Sequence, residues 1–355
     1  MRIKLFAYFA GNPGDDMMVW ILLERYPNIT FFAPTWAEES DIFREFANFE
    51  NMEAIQRRYG RMNHILNILF PFRRDFYLKS KLKRIEKDCV CSVYIGGSVY
   101  TERTTPASEE AKLDGPPLFV IGANYGRKAA DFGEYFRRCA GVTFRDRVSY
   151  ERFSDLPNVS YAPDVVLNFR GKSGPSKGYT LINVMELHRP GLENWADRYE
   201  GKIAELCAHC ERPLLVSFCR KEGGEDAMAR VAARVPRAAT YRYRGDLEEL
   251  LELFSGAEAV IATRLHAMIL AFCHQKPVAA FAYDEKIQNV AADMGFGCVY
   301  PISEVDNINP KELISCCFLP ENLEMFQQKA VEHFAKLDLF LEEYHGTGQH
   351  YHPGV

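Results

Sequence analysis

The chain has 355 residues, 47% of them hydrophobic and 26% charged, with a formal net charge of −5. That length exceeds one simple core and favours two domains, and the acidic balance excludes nucleic-acid binding by the chain as a whole. There is no apolar run of about 18 residues and no signal-peptide core in the first ten. The ten cysteines lack the spacing of a secreted scaffold, so a cytoplasmic location is expected.

In chain order, an apolar strand at 3–9 leads into Gly11-Asn12-Pro13-Gly14-Asp15-Asp16 and an amphipathic helix to about Arg25. A strand at 29–33 precedes a largely helical stretch over 36–87. Strands at 89–95, 118–121 and 141–144 end in Gly96-Gly97-Ser98, Gly122-Ala123-Asn124 and Arg145-Asp146-Arg147. Short extended pieces at 159–162 and 165–167 flank Pro163-Asp164. A Gly, Pro and Ser-rich linker over 168–178 follows. The alternation then restarts with strands at 179–185, 213–218, 240–243, 259–262, 277–282 and 298–301. Helices are predicted at 194–210, 223–234, 246–255, 264–274, 285–293 and 310–317. A long last helix over 321–344 and a frayed tail at 346–355 close the chain.

Near-continuous apolar strands alternating with helices mean parallel sheets covered on both faces. The reading is an α/β protein of two Rossmann-like domains, 1–170 and 178–320. A C-terminal helix at 321–345 packs back on the first. Ligands of such sheets bind at the carboxyl ends of the strands, so the polar strand ends face an interdomain cleft.

The most informative of those ends is Thr263-Arg264-Leu265-His266. Thr263 as N-cap makes Arg264 the first and His266 the third helical residue, with free backbone N–H groups for an anion. Arg264 adds a bidentate fork for phosphate or carboxylate, and His266 exchanges a proton near neutral pH. The plainer alternative is a capped helix with a solvated Arg and a packed His. Arg145 suits the same anion, unless Asp146 merely starts a helix and both neighbouring arginines lie at the surface.

The turn around Asn12 and Gly14 permits close ligand approach, but its spacing is not a dinucleotide fingerprint. Asp15 or Asp16 is either a helix cap or a base for a sugar hydroxyl. Gly97 and Ser98 form a second glycine turn. Lys286, in Tyr283-Asp284-Glu285-Lys286, is an anion contact or a solvated side chain after an N-cap Asp284. Glu186 and His188 are acceptor candidates, although a polar loop explains them as well.

Cys207 and Cys210 form a CxxC with no second pair and read as core, so no metal is expected; His345, His350 and His352 in the tail need none. The segment 57–84 interleaves Arg and Lys with Phe, Leu and Ile, which suits either an anionic lipid surface or two helices with basic outer faces.

From Asn12-Pro13-Gly14-Asp15 through Gly96-Gly97, Phe144-Arg145-Asp146 and Ala162-Pro163-Asp164 to Thr263-Arg264-Leu265-His266 and Tyr283-Asp284-Glu285-Lys286, the chain resembles the polysaccharide pyruvyl transferases. The last two elements are the most specific. Two departures, Ser98 where the family often has a third glycine and Glu186-Leu187-His188-Arg189, fall on the acceptor side.

The resemblance implies a GT-B-like fold and transfer of pyruvate from phosphoenolpyruvate to two hydroxyls of a sugar, with no cofactor. It implies that Arg145, Arg264 and His266 serve phosphoenolpyruvate, joined here by Thr263 and Lys286. The expected acceptor is a glycan, as polymer or polyprenyl-diphosphate-linked precursor. With 57–84 on an anionic membrane, the enzyme would sit peripherally on the inner leaflet. Two other readings fit the same pattern: a GT-B glycosyltransferase using a sugar nucleotide, and an inactive binding subunit of a polysaccharide assembly complex.

Overall fold

The computed structural model describes residues 1–73, 75–219, 221–318 and 321–346. Two parallel sheets form the frame. The first contains β1 (Arg2–Phe6), β2 (Thr30–Phe32), β3 (Phe49–Glu50), β4 (Cys89–Ile95), β5 (Leu118–Ala123), β6 (Gly141–Phe144) and β7 (Val159–Tyr161). Its spatial order is β3-β2-β1-β4-β5-β6-β7. The second contains β8 (Thr180–Val184), β9 (Pro213–Ser217), β10 (Ala239–Arg242), β11 (Ala259–Ala262), β12 (Val278–Ala282) and β13 (Val299–Pro301), in the order β10-β9-β8-β11-β12-β13. Most strands are buried along their length, which is why they read as unbroken apolar runs.

In both sheets the strand order reverses between the first and fourth strands, at β1/β4 and at β8/β11, all strands staying parallel. Such switch points open a crevice at the carboxyl ends where ligands bind. The two switch points face each other, because the helices that follow β1 and β11 pack together. Helix Leu265–Cys273 is buried at every residue and Pro13–Arg25 at most. The second of these was expected to be amphipathic; it lies instead between the lobes, where an all-round apolar helix belongs. One apolar core cluster runs through both lobes, from Ile3 and Met17 to Val260 and Leu270.

The stretch 36–87 is largely helical as expected, with β3 inside it, too short to stand out from its surroundings. Two further expectations are corrected. Residues 165–167 belong to a 3₁₀ turn, Val165–Asn168, because Asp164 Oδ1 accepts the Val166 N–H at 2.9 Å and caps it. The last helix is three pieces, Leu323–Ala330, Val331–Phe334 and Ala335–Gly346. This segment crosses back to the first sheet. His333 is wedged between Thr143 Oγ1 and the Pro163 carbonyl, each at 2.8 Å, and the Phe340 ring packs at a tilt 5.4 Å from that of Phe119. Most of the tail expected to fray, with His350 and His352, lies outside the described residues, as does Arg74.

Candidate active site

The opposed switch points enclose a cavity of about 550 Å³. β1 is followed by Asn12, whose side chain accepts the Gly14 N–H at 3.3 Å and starts the next helix with Pro13 in its first turn. Asn12 is therefore the cap, not Asp15 or Asp16. That leaves Asp15 free to face the cavity. Burial drives its carboxyl upward, Arg145 and Lys286 only partly offset this, and it rests at about 6. Asp16 points away and accepts the Tyr243 hydroxyl of the other lobe at 2.9 Å.

Arg145, just past β6, is 2% exposed. Its guanidinium donates to Asp164 at 3.0 Å and to Asn124 at 3.3 Å, and lies 3.2 Å from His266 Nε2 across the cleft. Burial pushes the Asp164 carboxyl up, but Arg145 and His266 outweigh burial and hold it below its ordinary value. Asp146 is a cap, accepting the Ser149 N–H at 2.8 Å, and Arg147 is exposed. The two readings of this element thus divide by residue, with Arg145 in the site and its neighbours outside it.

At the end of β11 the cap falls one residue later than expected. Arg264, not Thr263, precedes the first helical turn and has no side-chain capping bond. Asn183, on β8, accepts the Arg264 N–H at 2.9 Å and the Thr263 N–H at 3.4 Å, so those two donors are engaged. The Thr263 hydroxyl pairs with Tyr199 at 2.8 Å inside the lobe and does not line the cavity. Thr263 positions the strand end. The Arg264 side chain does reach the cavity, paired with Glu222 at 2.6 Å. The Nε atoms of both Arg145 and Arg264 are buried without a hydrogen-bond partner.

His266 is held neutral. Burial lowers its pKa, Asp164 works against that, Arg145 adds to it, and it rests at about 4. Because Arg145 can only donate, Nε2 accepts, and the ring proton is assigned to Nδ1. That edge of the ring lies over Gly14, where a Cβ would overlap it; a Cβ on Gly97 would likewise overlap the Arg145 guanidinium. Each glycine thus makes room for a charged or titratable group. Lys286 donates to Ser98 Oγ at 3.0 Å, another bridge between lobes, while Asp284 caps its own helix.

The residues of one protein family's profile, polysaccharide pyruvyl transferase, match positions 12–285. The chain belongs to that family. No curated protein matches the sequence. Among solved structures, the Anabaena protein Alr3699/HepE in complex with UDP and glucose has a TM-score of 0.52 at 11% identity, covering 98% of this chain and 99% of that one. Its complex with UDP-glucose also gives 0.52 at 11%, covering 98% and 100%. Acinetobacter baumannii MurG gives 0.46 at 12%, covering 96% and 98%. The fold is GT-B-like, as expected.

In this member of the pyruvyl transferase family, the cavity wall gathers Asn12, Asp15, Gly97, Ser98, Arg145, Arg264, His266 and Lys286. Glu186 and His188 are not among its lining residues. Glu186 pairs with Arg230 at 2.7 Å, and His188 is exposed beside Glu200. From the same loop it is Arg189 that lines the cavity, its guanidinium over Tyr283.

Among the described residues, Glu186, His188 and Glu200 bring ligand-type atoms within 4.8 Å of one another, but the Arg230 guanidinium already bonds both carboxylates. Cys207 and Cys210 are buried in the second core cluster. Sequence reasoning assigned no role to Asp164, Asn183 or Glu222, and reached Arg189 only as the end of the Glu186-Leu187-His188-Arg189 acceptor stretch. Asp164 had a signal in its place after Pro163 at a strand end. Asn183 had one as a polar residue within an apolar run.

Proposed function

We propose that the protein transfers pyruvate from phosphoenolpyruvate to two hydroxyls of one sugar, forming a cyclic ketal and releasing phosphate. The acceptor is a sugar of a surface polysaccharide or of its lipid-linked precursor. The observation that carries this reading is the meeting of Arg145 and His266 across the cleft, in a cavity that Arg264 and Lys286 also line. A donor bearing phosphate and carboxylate on a three-carbon skeleton needs several cations within a few ångströms. Five Lys and Arg side chains line this cavity, Arg103 and Arg189 completing the set.

The chemistry follows from the groups present. C3 of the enol gains a proton and C2 becomes oxocarbenium-like. One sugar hydroxyl adds at C2 and loses its proton. Phosphate departs with the C2–O electron pair, which leaves C2 oxocarbenium-like again, and the second hydroxyl adds there, closing the ring and giving its proton to the departing phosphate. Asp15, with a pKa of about 6, is largely ionised at neutral pH and basic enough to take a hydroxyl proton. His266 is neutral in the empty cleft. A multiply charged anion beside it favours the imidazolium, so donor binding itself supplies the acid that protonates C3.

The test is phosphate release from phosphoenolpyruvate across galactosyl, mannosyl and N-acetylhexosaminyl acceptors. Acceptor-dependent release is expected, and His266→Ala should fold normally and lose about 10²–10⁴ in rate. A thermal shift with uridine or guanosine diphosphate sugars but none with phosphoenolpyruvate would move the protein to sugar-nucleotide chemistry. No ligand response at all, with cleft variants like wild type, would make it a binding subunit.

A further inference from the structure

The helices Met52–Leu69 and Phe76–Lys87 form an antiparallel hairpin that stands off the first lobe. Among the described residues, its buried hydrophobic side chains are Ile55 and Ile85, which meet Phe32 at the base. Further out the hairpin is held by its own contacts. The Tyr59 and Tyr77 rings lie 6.3 Å apart, Asn63 Oδ1 accepts the Leu78 N–H at 3.1 Å, and Asn63 Nδ2 reaches Asp75 at 2.9 Å. Asn67 also donates to Asp75, at 3.0 Å, so the acid nearest the turn is engaged in closing it.

The outer half of this hairpin is apolar and exposed. Phe72 is 80% accessible, Ile68 67%, and Leu69 and Phe76 62% each. Among the described residues, seven of the fourteen large hydrophobic side chains that face solvent fall in this one element: Met62, Ile65, Ile68, Leu69, Phe70, Phe72 and Phe76. A concentration of that kind marks an interaction surface. Residues 52–87 also carry ten Lys and Arg against three Asp and Glu, a net +7 in a chain whose total is −5. Lys79, Lys83 and Arg84 are on the second helix, and Arg57 and Arg61 on the first.

We propose that this hairpin docks the protein on an anionic lipid surface, with Ile68, Leu69, Phe70, Phe72 and Phe76 among the headgroups and its cations against lipid phosphates. Aromatic and aliphatic side chains at a tip that carries Arg73, with Lys79 and Lys83 along the helix behind it, match a bilayer interface, with an apolar layer beneath a negative one. None of the helices is long and apolar enough to cross a membrane among the described residues, so the contact is peripheral. The docking stands apart from the transferase reading, since it needs no substrate, and it would bring the cleft to a lipid-linked acceptor.

The experiment is cosedimentation of the full chain with vesicles of phosphatidylcholine alone or with about one third phosphatidylglycerol, at low and high salt. Binding to the anionic vesicles, weakened by salt, is expected. Each cation near such a surface is worth about fivefold, so the Lys79→Glu, Lys83→Glu, Arg84→Glu triple variant should lose at least about 100-fold. Ile68→Ser with Phe72→Ser should lose about tenfold, since both side chains leave an apolar layer. All these positions are exposed, so the melting temperature should not change. No binding by wild type, or undiminished binding by both variants, overturns the proposal. So does a wild-type dimer in sedimentation velocity that the tip variant dissociates, because a second copy would then cover the tip.

Discussion

The carboxyl ends of β6 and β11 each deliver an arginine to the same cavity, and the two are held in opposite ways. Arg145 lies in a closed set of partners: Asp164, fully buried, Asn124, and the ring of His266 from the other lobe. Behind Asp164, His333 from the returning C-terminal segment fixes the Pro163 carbonyl. Arg264 has one charged partner, Glu222, whose side chain is 29% exposed. The first arginine is part of the frame that keeps the lobes in register as well as part of the site. The second can exchange its carboxylate for another anion at little cost to the fold.

The largest expected effect separates the two. Arg145→Ala leaves Asp164 as a buried unpaired carboxylate and should cost about 3–5 kcal/mol of stability along with activity. Arg264→Ala should lose about 10²–10³ in kcat/KM but only about 1–2 kcal/mol of stability, because Glu222 can rehydrate. Thermal melts beside phosphate-release assays decide this. Equal destabilisation by the two variants would break the distinction.

Asp15 sharpens the comparison from the other side of the cavity, since it is strained rather than supported. Its folded-state pKa of about 6 lies above the ordinary carboxylate value, so the folded protein binds the extra proton more tightly. Its contribution to stability is present in acid and lost as pH rises from about 4 through about 6. Asp15→Asn should therefore melt higher than wild type above pH 6, match it near pH 4, and lose about 10² or more in rate. The buried histidines work in the opposite direction. His266 and His333 are both depressed to about 4, chiefly by burial, so their contribution is intact above about 6.5 and is lost as pH falls toward 4. A variant with no gain in melting temperature at pH 8 would show Asp15 to be solvated and of ordinary acidity.

The architecture was legible because it depends on periodicity. Buried parallel strands leave unbroken apolar runs, and the residues at their ends announce themselves by breaking the run. Arg145, Arg264, His266 and Lys286 could be found that way, and the cavity brings them together. What stayed hidden depends on contacts between distant segments. Nothing local marks Glu222 as the partner of Arg264, and nothing in a C-terminal helix marks His333 as a support beneath Asp164. Thr263 went wrong because the expected capping role was filled by a side chain from another strand. Asn183 accepts the N–H groups of Thr263 and Arg264, and the Thr263 hydroxyl turns inward to Tyr199. The glycines show the reverse case. Gly14 and Gly97 looked like weak turn signals, yet each lies against a group from a distant segment that any Cβ would displace.

The smallest effect tests the exchangeable arginine directly. Glu222 is held below its ordinary acidity range by Arg264, which outweighs the upward push of burial, so it is a carboxylate at neutral pH. It therefore competes for Arg264 with any incoming anion. Glu222→Gln keeps the shape and removes the charge, so KM for phosphoenolpyruvate should fall about fivefold, the equivalent of about 1 kcal/mol, with kcat little changed. The gain should shrink in high salt, where the competing charge is already screened. A rise in KM would mean that Glu222 orients Arg264 for the donor. Arg264 would then be as dependent on its carboxylate as Arg145 is on Asp164, and the two strand ends would be held alike.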